Sequence, residues 1–126
     1  MAEDEGERLL PLSPAVFHIL LALAGGELHG YGIMREIARG TDGQMRIGPG
    51  TLYRSIKQML AARLIEESDE RPDPEMDDER RRYYRLSAFG QRVARAEAVR
   101  LARLVHEAGT KGLLGGEFQP GIGAVR

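Results

Sequence analysis

Thr51, Tyr53, Arg54, Ser55, Lys57 and Gln58 crowd into one short stretch with no acid among them. Two cations, hydroxyls and a phenol gathered without a carboxylate suit a polyanion. Their spacing puts them on one surface. Leu52, Ile56, Met59 and Leu60 stand at i, i+4, i+7 and i+8, which is one face of a helix, and the polar set takes the other. Gly48-Pro49-Gly50 prepares the helix start. Pro49 presets the backbone of a first turn and has no N–H to lose there. Gly48 and Gly50 let the backbone turn sharply and lie close to another surface. Taken alone, the stretch also reads as a solvated helix with a cationic face.

On the polyanion reading each side chain has a task. Free N–H groups at a helix start attract phosphate, and Pro49, Gly50 and the Thr51 hydroxyl lie there. Arg54 is assigned to a guanine edge, where contact with N7 and O6 discriminates between bases. Lys57 goes to phosphate or sugar. Tyr53 has two uses, a phosphate or sugar contact or packing against the preceding helix. Arg46, just ahead of the helix, joins the set.

Other chemistries find no support. His18, His29 and His106 show no metal-ligand spacing, and there is no Cys. No nucleophile elbow, Walker loop or dinucleotide fingerprint occurs. His29 reads as a hydrogen-bonding cap and His18 as a buried, hydrogen-bonded histidine. The expectation is a protein that is not an enzyme and uses no metal or cofactor.

The elements that must position the polar face follow from the rest of the chain. Its 126 residues suggest one domain, and a net charge of -1 means that any basic surface must be segregated. Residues 1–8 are acidic and polar, read as a frayed arm. They lack the basic start of a secretion signal, so the expected location is cytoplasmic. Ser13-Pro14 caps a first helix over residues 15–24, apolar on nearly all sides. In so short a chain its second buried side implies another subunit. Residues 27–32 read as a turn, with Gly30 in the turn and Tyr31 in the core, and a second helix follows to about Arg39. Leu64-Ile65 leads into a strand over residues 66–69, and residues 82–86 read as a second strand, making a hairpin with a long polar tip. Ser87 then caps a helix over residues 88–108. Ala94, Ala98, Leu101, Val105 and Ala108 repeat along it with heptad spacing, beside a second stripe of Phe89, Val93 and Ala96. Residues 109–126 read as a flexible tail.

Leu28-His29-Gly30-Tyr31, Gly48-Pro49-Gly50-Thr51-Leu52-Tyr53, Arg63-Leu64-Ile65 and the run from Arg81 to Gly90 occur in an order and spacing that resembles the PadR family of bacterial transcriptional regulators. The resemblance covers residues 9–107, and the single last helix resembles the short subfamily. It implies a mainly α fold with a small β-hairpin: a winged helix-turn-helix over residues 9–87 and a dimerisation helix over residues 88–108. It further implies a homodimer that represses transcription at a palindromic operator, with the third helix as recognition helix. A cavity between subunits, able to take a planar aromatic effector, is also implied. Phe17, Leu20, Leu101 and Val105 are the expected walls, although the same residues could instead fill the interface. The chain has no Trp to stack such a ligand.

The wing divides its charge. The tip, residues 69–79, is acidic, and the base carries Arg80, Arg81, Arg82 and Arg85. At least one of Arg80, Arg81 and Arg82 is expected on phosphate, with the others neutralising the tip. The competing reading is a winged-helix adaptor for protein partners, the acidic wing excluding DNA.

Overall fold

The computed structural model describes residues 2–68 and 82–115. Five helices and three strands occur among them: α1 (Ala2–Arg8), α2 (Pro14–Ala24), β1 (Leu28–His29), α3 (Gly30–Gly40), α4 (Pro49–Ala61), β2 (Ile65–Ser68), β3 (Tyr83–Leu86) and α5 (Ala88–Thr110). The sheet is antiparallel in the order β1-β3-β2. Its register pairs Leu28 with Tyr84 and Ile65 with Leu86.

The helix starts follow the local chemistry. Ser13 Oγ accepts from Val16 N–H and Pro14 takes the first helical position of α2. His29 Nδ1 accepts from Gly32 N–H at 2.9 Å and so caps α3, as the sequence predicts. Ser87 Oγ accepts from Gly90 N–H at 2.8 Å and caps α5.

Ile19, Leu20 and Leu23 of α2 fill the centre. Around them close Ile33 and Ile37 of α3, Leu52, Ile56 and Met59 of α4, Ile65, Tyr84, and Val93 of α5. Each fully buried aliphatic side chain contributes about 1.5–3 kcal/mol. The core therefore gathers α2, α3 and α4 into a fixed platform and leaves the far side of α4 facing outward.

Two pairs of sequence motifs turn out to be two joints. Arg63, with φ 65°, and Leu64 close the end of α4, and Gly90 of α5 lies directly against Leu64. A Cβ on Gly90 would sit 1.9 Å from the Leu64 carbonyl oxygen, so no other residue lets α5 cross there without movement. Ser87 N–H donates to the same oxygen at 3.1 Å. At the other joint Gly30 lies under Tyr53, whose hydroxyl would be 2.3 Å from a Cβ on Gly30.

Several expectations are corrected. The arm expected to fray is the helix α1, packed along α5; Gly6 lets it approach Val93, where an added Cβ would be 3.2 Å from a methyl group. A polar stretch that docks through a glycine shows no hydrophobic stripe. The hairpin gains a third strand, β1, because Leu28 and His29 pair with β3 where only a turn is expected. Tyr31 is exposed, since Ile33 and Ile37 take the inner face of α3. His18 is half-buried at a shallow groove beside Glu36 and Thr41 instead of sealed in the core. Ser55 is buried and leaves the polar face of α4. Helix α5 runs on to Thr110, so the stretch read as a tail starts inside it. Most of that tail, and the acidic wing tip, lie outside the described residues.

Candidate nucleic-acid interface

The start of α4 differs from the other long helices. α2, α3 and α5 each carry a side-chain cap, from Ser13, His29 and Ser87. At α4 the cap position is Gly48, which makes no side-chain hydrogen bond. Its carbonyl accepts from Leu52 N–H at 2.9 Å, so the first bond of the helix already spans the opening turn. Pro49 has no N–H, and the first N–H groups of a helix have no partner within it. Those of Gly50 and Thr51 therefore point out of an exposed end. Together with the helix dipole they form a seat for an anionic oxygen.

The exposed face continues that seat. Thr51, Arg54, Lys57 and Gln58 are all exposed, and an Arg54 terminal nitrogen reaches back to Thr51 Oγ1 at 3.4 Å. Arg54 thus hangs over the same first turn. Arg46 is exposed on the approach to α4, with a guanidinium nitrogen close over Gly43, 3.4 Å from where a Cβ would stand. Of the predicted set, Arg46, Pro49, Gly50, Thr51, Arg54 and Lys57 share the start of α4 and its outer face. Tyr53 is 39% exposed and rests its hydroxyl on Gly30, the packing alternative of the two open to it.

Several cations near this face are paired, and those on it are not. Arg39 binds Glu36 through Nε at 3.1 Å, and the bond holds the Glu36 carboxyl below its usual range. Arg85 donates to Glu66 at 3.1 Å and lies 3.6 Å from Glu27. Arg82 donates to Glu67 at 2.9 Å, so both described arginines of the wing base, Arg82 and Arg85, already hold an acid. Arg80 and Arg81 lie outside the described residues. Among the described residues Arg46, Arg54 and Lys57 meet no carboxylate. Exposed cations without acid partners keep their charge available to a polyanion.

The expected effector walls are only partly together. Phe17, Leu101 and Val105 are half-buried and keep open apolar surface. Leu20 is 0% exposed and belongs to the core of its own chain, so it lines no cavity. The Leu20 side of α2 is covered by α3, α4, α5 and the sheet, while Leu21 on the same helix stays 49% exposed. An open groove of about 650 Å³ lies elsewhere, between α1 and α5, lined by Leu10, Ala96, Val99 and the arginines Arg92, Arg95 and Arg103.

Two pairs escape the sequence reading. Tyr31 is 60% exposed with the Arg35 guanidinium 5.7 Å from its ring centre. Their i, i+4 spacing was the available signal. Glu97 is 1% exposed inside the α5 face, where heptad counting follows only the apolar residues beside it. It accepts from Arg100 Nε at 2.6 Å and from Leu12 N–H at 3.0 Å. The Arg100 bond, helped by the Leu12 N–H, holds its carboxyl below the ordinary range against the opposing effect of burial.

Comparison with known proteins agrees with this arrangement. Residues 19–96 match the Transcriptional regulator PadR-like family. An uncharacterized 37.1 kDa protein in a transposon of Streptomyces fradiae is 35% identical over 86 residues. That match takes in 68% of this chain and only 22% of the relative's length. A transcriptional regulator from Clostridium thermocellum superposes with a TM-score of 0.64 at 23% identity, covering 79% of this chain and 90% of the other. A PadR family transcription regulator from Clostridium difficile gives a TM-score of 0.63 at 19% identity over 78% of this chain and 97% of its own. Both structures share the winged-helix arrangement with a long last helix. No helix among the described residues is long and apolar enough to cross a membrane. The family matched over the helix-turn-helix, the wing strands and the start of α5 consists of regulators and not enzymes, and this chain belongs to it: it is a PadR-like transcriptional regulator.

Proposed function

We propose that the chain works in the cytoplasm as a homodimer that represses transcription, with α4 in the major groove of a palindromic operator. The observation that carries this reading is the uncapped start of α4, flanked by an exposed face on which no cation meets a described acid. Gly50 and Thr51 N–H groups take a phosphate, Arg54 a base edge and Lys57 and Arg46 the neighbouring backbone. Tyr53 stays on Gly30 and sets the angle between α3 and α4.

The dimer is assigned to α5 and the flanking surface of α2. Ala94, Leu101, Val105 and Ala108 keep part of their surface open along α5, and Leu104 is 53% exposed. Phe17, Leu101 and Val105 are the walls assigned to an effector between subunits, and a planar aromatic compound bound there would release the operator.

A gel shift on the DNA upstream of the protein's own gene, repeated across salt concentrations, tests the reading. Two half-sites about one helical turn apart, roughly 34 Å, should be protected, and affinity should fall steeply with salt. Leu101→Asp places an unpaired charge in the assigned seam and should abolish both the dimer, seen by light scattering, and the shift. A parent protein with no salt-dependent binding would overturn the DNA reading; a Leu101→Asp dimer of normal size would move the interface.

A further inference from the structure

Tyr31 and Arg35 stand one turn apart on the side of α3 away from Ile33 and Ile37, which are both buried. The Arg35 guanidinium lies over the Tyr31 ring, 5.7 Å from its centre, and the ring is 60% exposed. Its neighbour Arg39 is neutralised by Glu36, and Arg85 by Glu66. Arg35 meets no acid among the described residues. A guanidinium steadied by a ring face keeps its whole charge, and its N–H edge remains free for an oxygen partner.

The pair also stands in a telling place. Gly30, the residue before Tyr31, is where the Tyr53 hydroxyl of α4 rests, so the start of α3 abuts the polar face of α4. On the other flank the His29 ring lies 6.4 Å from Tyr31 and 5.2 Å from Tyr83 of β3. Tyr31 therefore sits where α3, α4 and the wing strand converge.

We propose that Arg35, oriented by Tyr31, binds a DNA phosphate next to the one at the start of α4. The proposal rests on the DNA-binding reading above. A planar guanidinium can give two N–H donors to two phosphate oxygens, which fixes the position of α3 on the backbone and carries no base information. The contact adds affinity equally for every sequence.

The test uses the full chain and a fluorescent duplex of arbitrary sequence, read by anisotropy over a range of salt. Arg35→Gln should lower the slope of log affinity against log salt by about one and weaken binding several-fold near physiological salt. The same loss should appear on a second, unrelated duplex. Tyr31→Leu keeps the charge and removes the ring; it should weaken binding by a smaller factor with the slope intact. Both side chains are exposed, so melting temperatures should stay at the parent value and exclude misfolding. Arg35→Gln with parental slope and affinity, while Lys57→Ala is impaired, overturns the clamp and leaves the DNA reading standing. A Tyr31→Leu protein that matches the parent overturns the role given to the ring. A parent that shows no salt-dependent binding overturns both.

Discussion

The outer face of α4 and the inner face of α5 treat charge in opposite ways. On α5 the carboxylate of Glu97 is 1% exposed and tied to Arg100 and to the Leu12 N–H, 85 positions away in sequence. On α4, Arg54 and Lys57 are exposed and meet no described acid, and the helix start lacks a side-chain cap. A buried charge is tolerable only when its partners are complete, so Glu97 acts as an internal tie. An exposed charge left without a partner contributes little to folding and stays available. The lesson is that the buried charge which ties this fold together is already satisfied, while the exposed charges of α4 are left available to a partner.

If that division is right, changes on the α5 side should act on stability and changes on α4 on binding. The largest effect is expected at the joint. Gly90→Ala places a Cβ 1.9 Å from the Leu64 carbonyl oxygen, a backbone atom that cannot swing aside. It should lower stability by about 3 kcal/mol, at the upper end for overpacking, as read by urea denaturation. A near-neutral Gly90→Ala would mean that α5 is free to slide against the end of α4.

Glu97→Ala comes next. It strands the Leu12 N–H and leaves Arg100, partly solvated, without its carboxylate, so a loss of about 1–3 kcal/mol is expected. The effect should depend on pH. The folded carboxyl lies below its unfolded value, so its contribution is present above the unfolded pKa and is lost as the pH falls through the folded one. The gap in melting temperature between parent and Glu97→Ala should thus be widest near neutrality and narrow in acid, below about pH 4. A gap that is constant across that range would show that the tie holds through packing alone.

Arg54→Ala should reverse the pattern. Exposed and unpaired, Arg54 should leave stability within about 0.5 kcal/mol of the parent. Operator affinity should fall by about 1–3 kcal/mol, with relaxed preference at one base position. A variant that binds with full affinity and selectivity would take base reading away from Arg54.

The helices were legible because their signals are local. Ser13-Pro14, Ser87 and the apolar spacing of Leu52, Ile56 and Met59 need only near neighbours, and all reappear in the fold. What sequence could not show depends on distant contacts. α1 docks through Gly6, which has no side chain to betray it, and β1 exists only because β3 returns beside Leu28 and His29. Glu97 looks like one more solvated acid until Leu12 is brought against it. The polar face of α4 was readable as a set, yet its membership was not. Ser55 turns inward, and Tyr53 is claimed by Gly30. An all-apolar helix does not say which of its sides the same chain will cover, so the burial of Leu20 is invisible in the sequence.

The most direct test is an NMR titration of the backbone amides with a DNA duplex. The Gly50 and Thr51 N–H signals, with those of Arg54 and Lys57, should move first and furthest. Leu12 and Gly90, at the α5 tie and joint, should stay in place. Shifts concentrated on α5 with the start of α4 unchanged would contradict the binding role of α4.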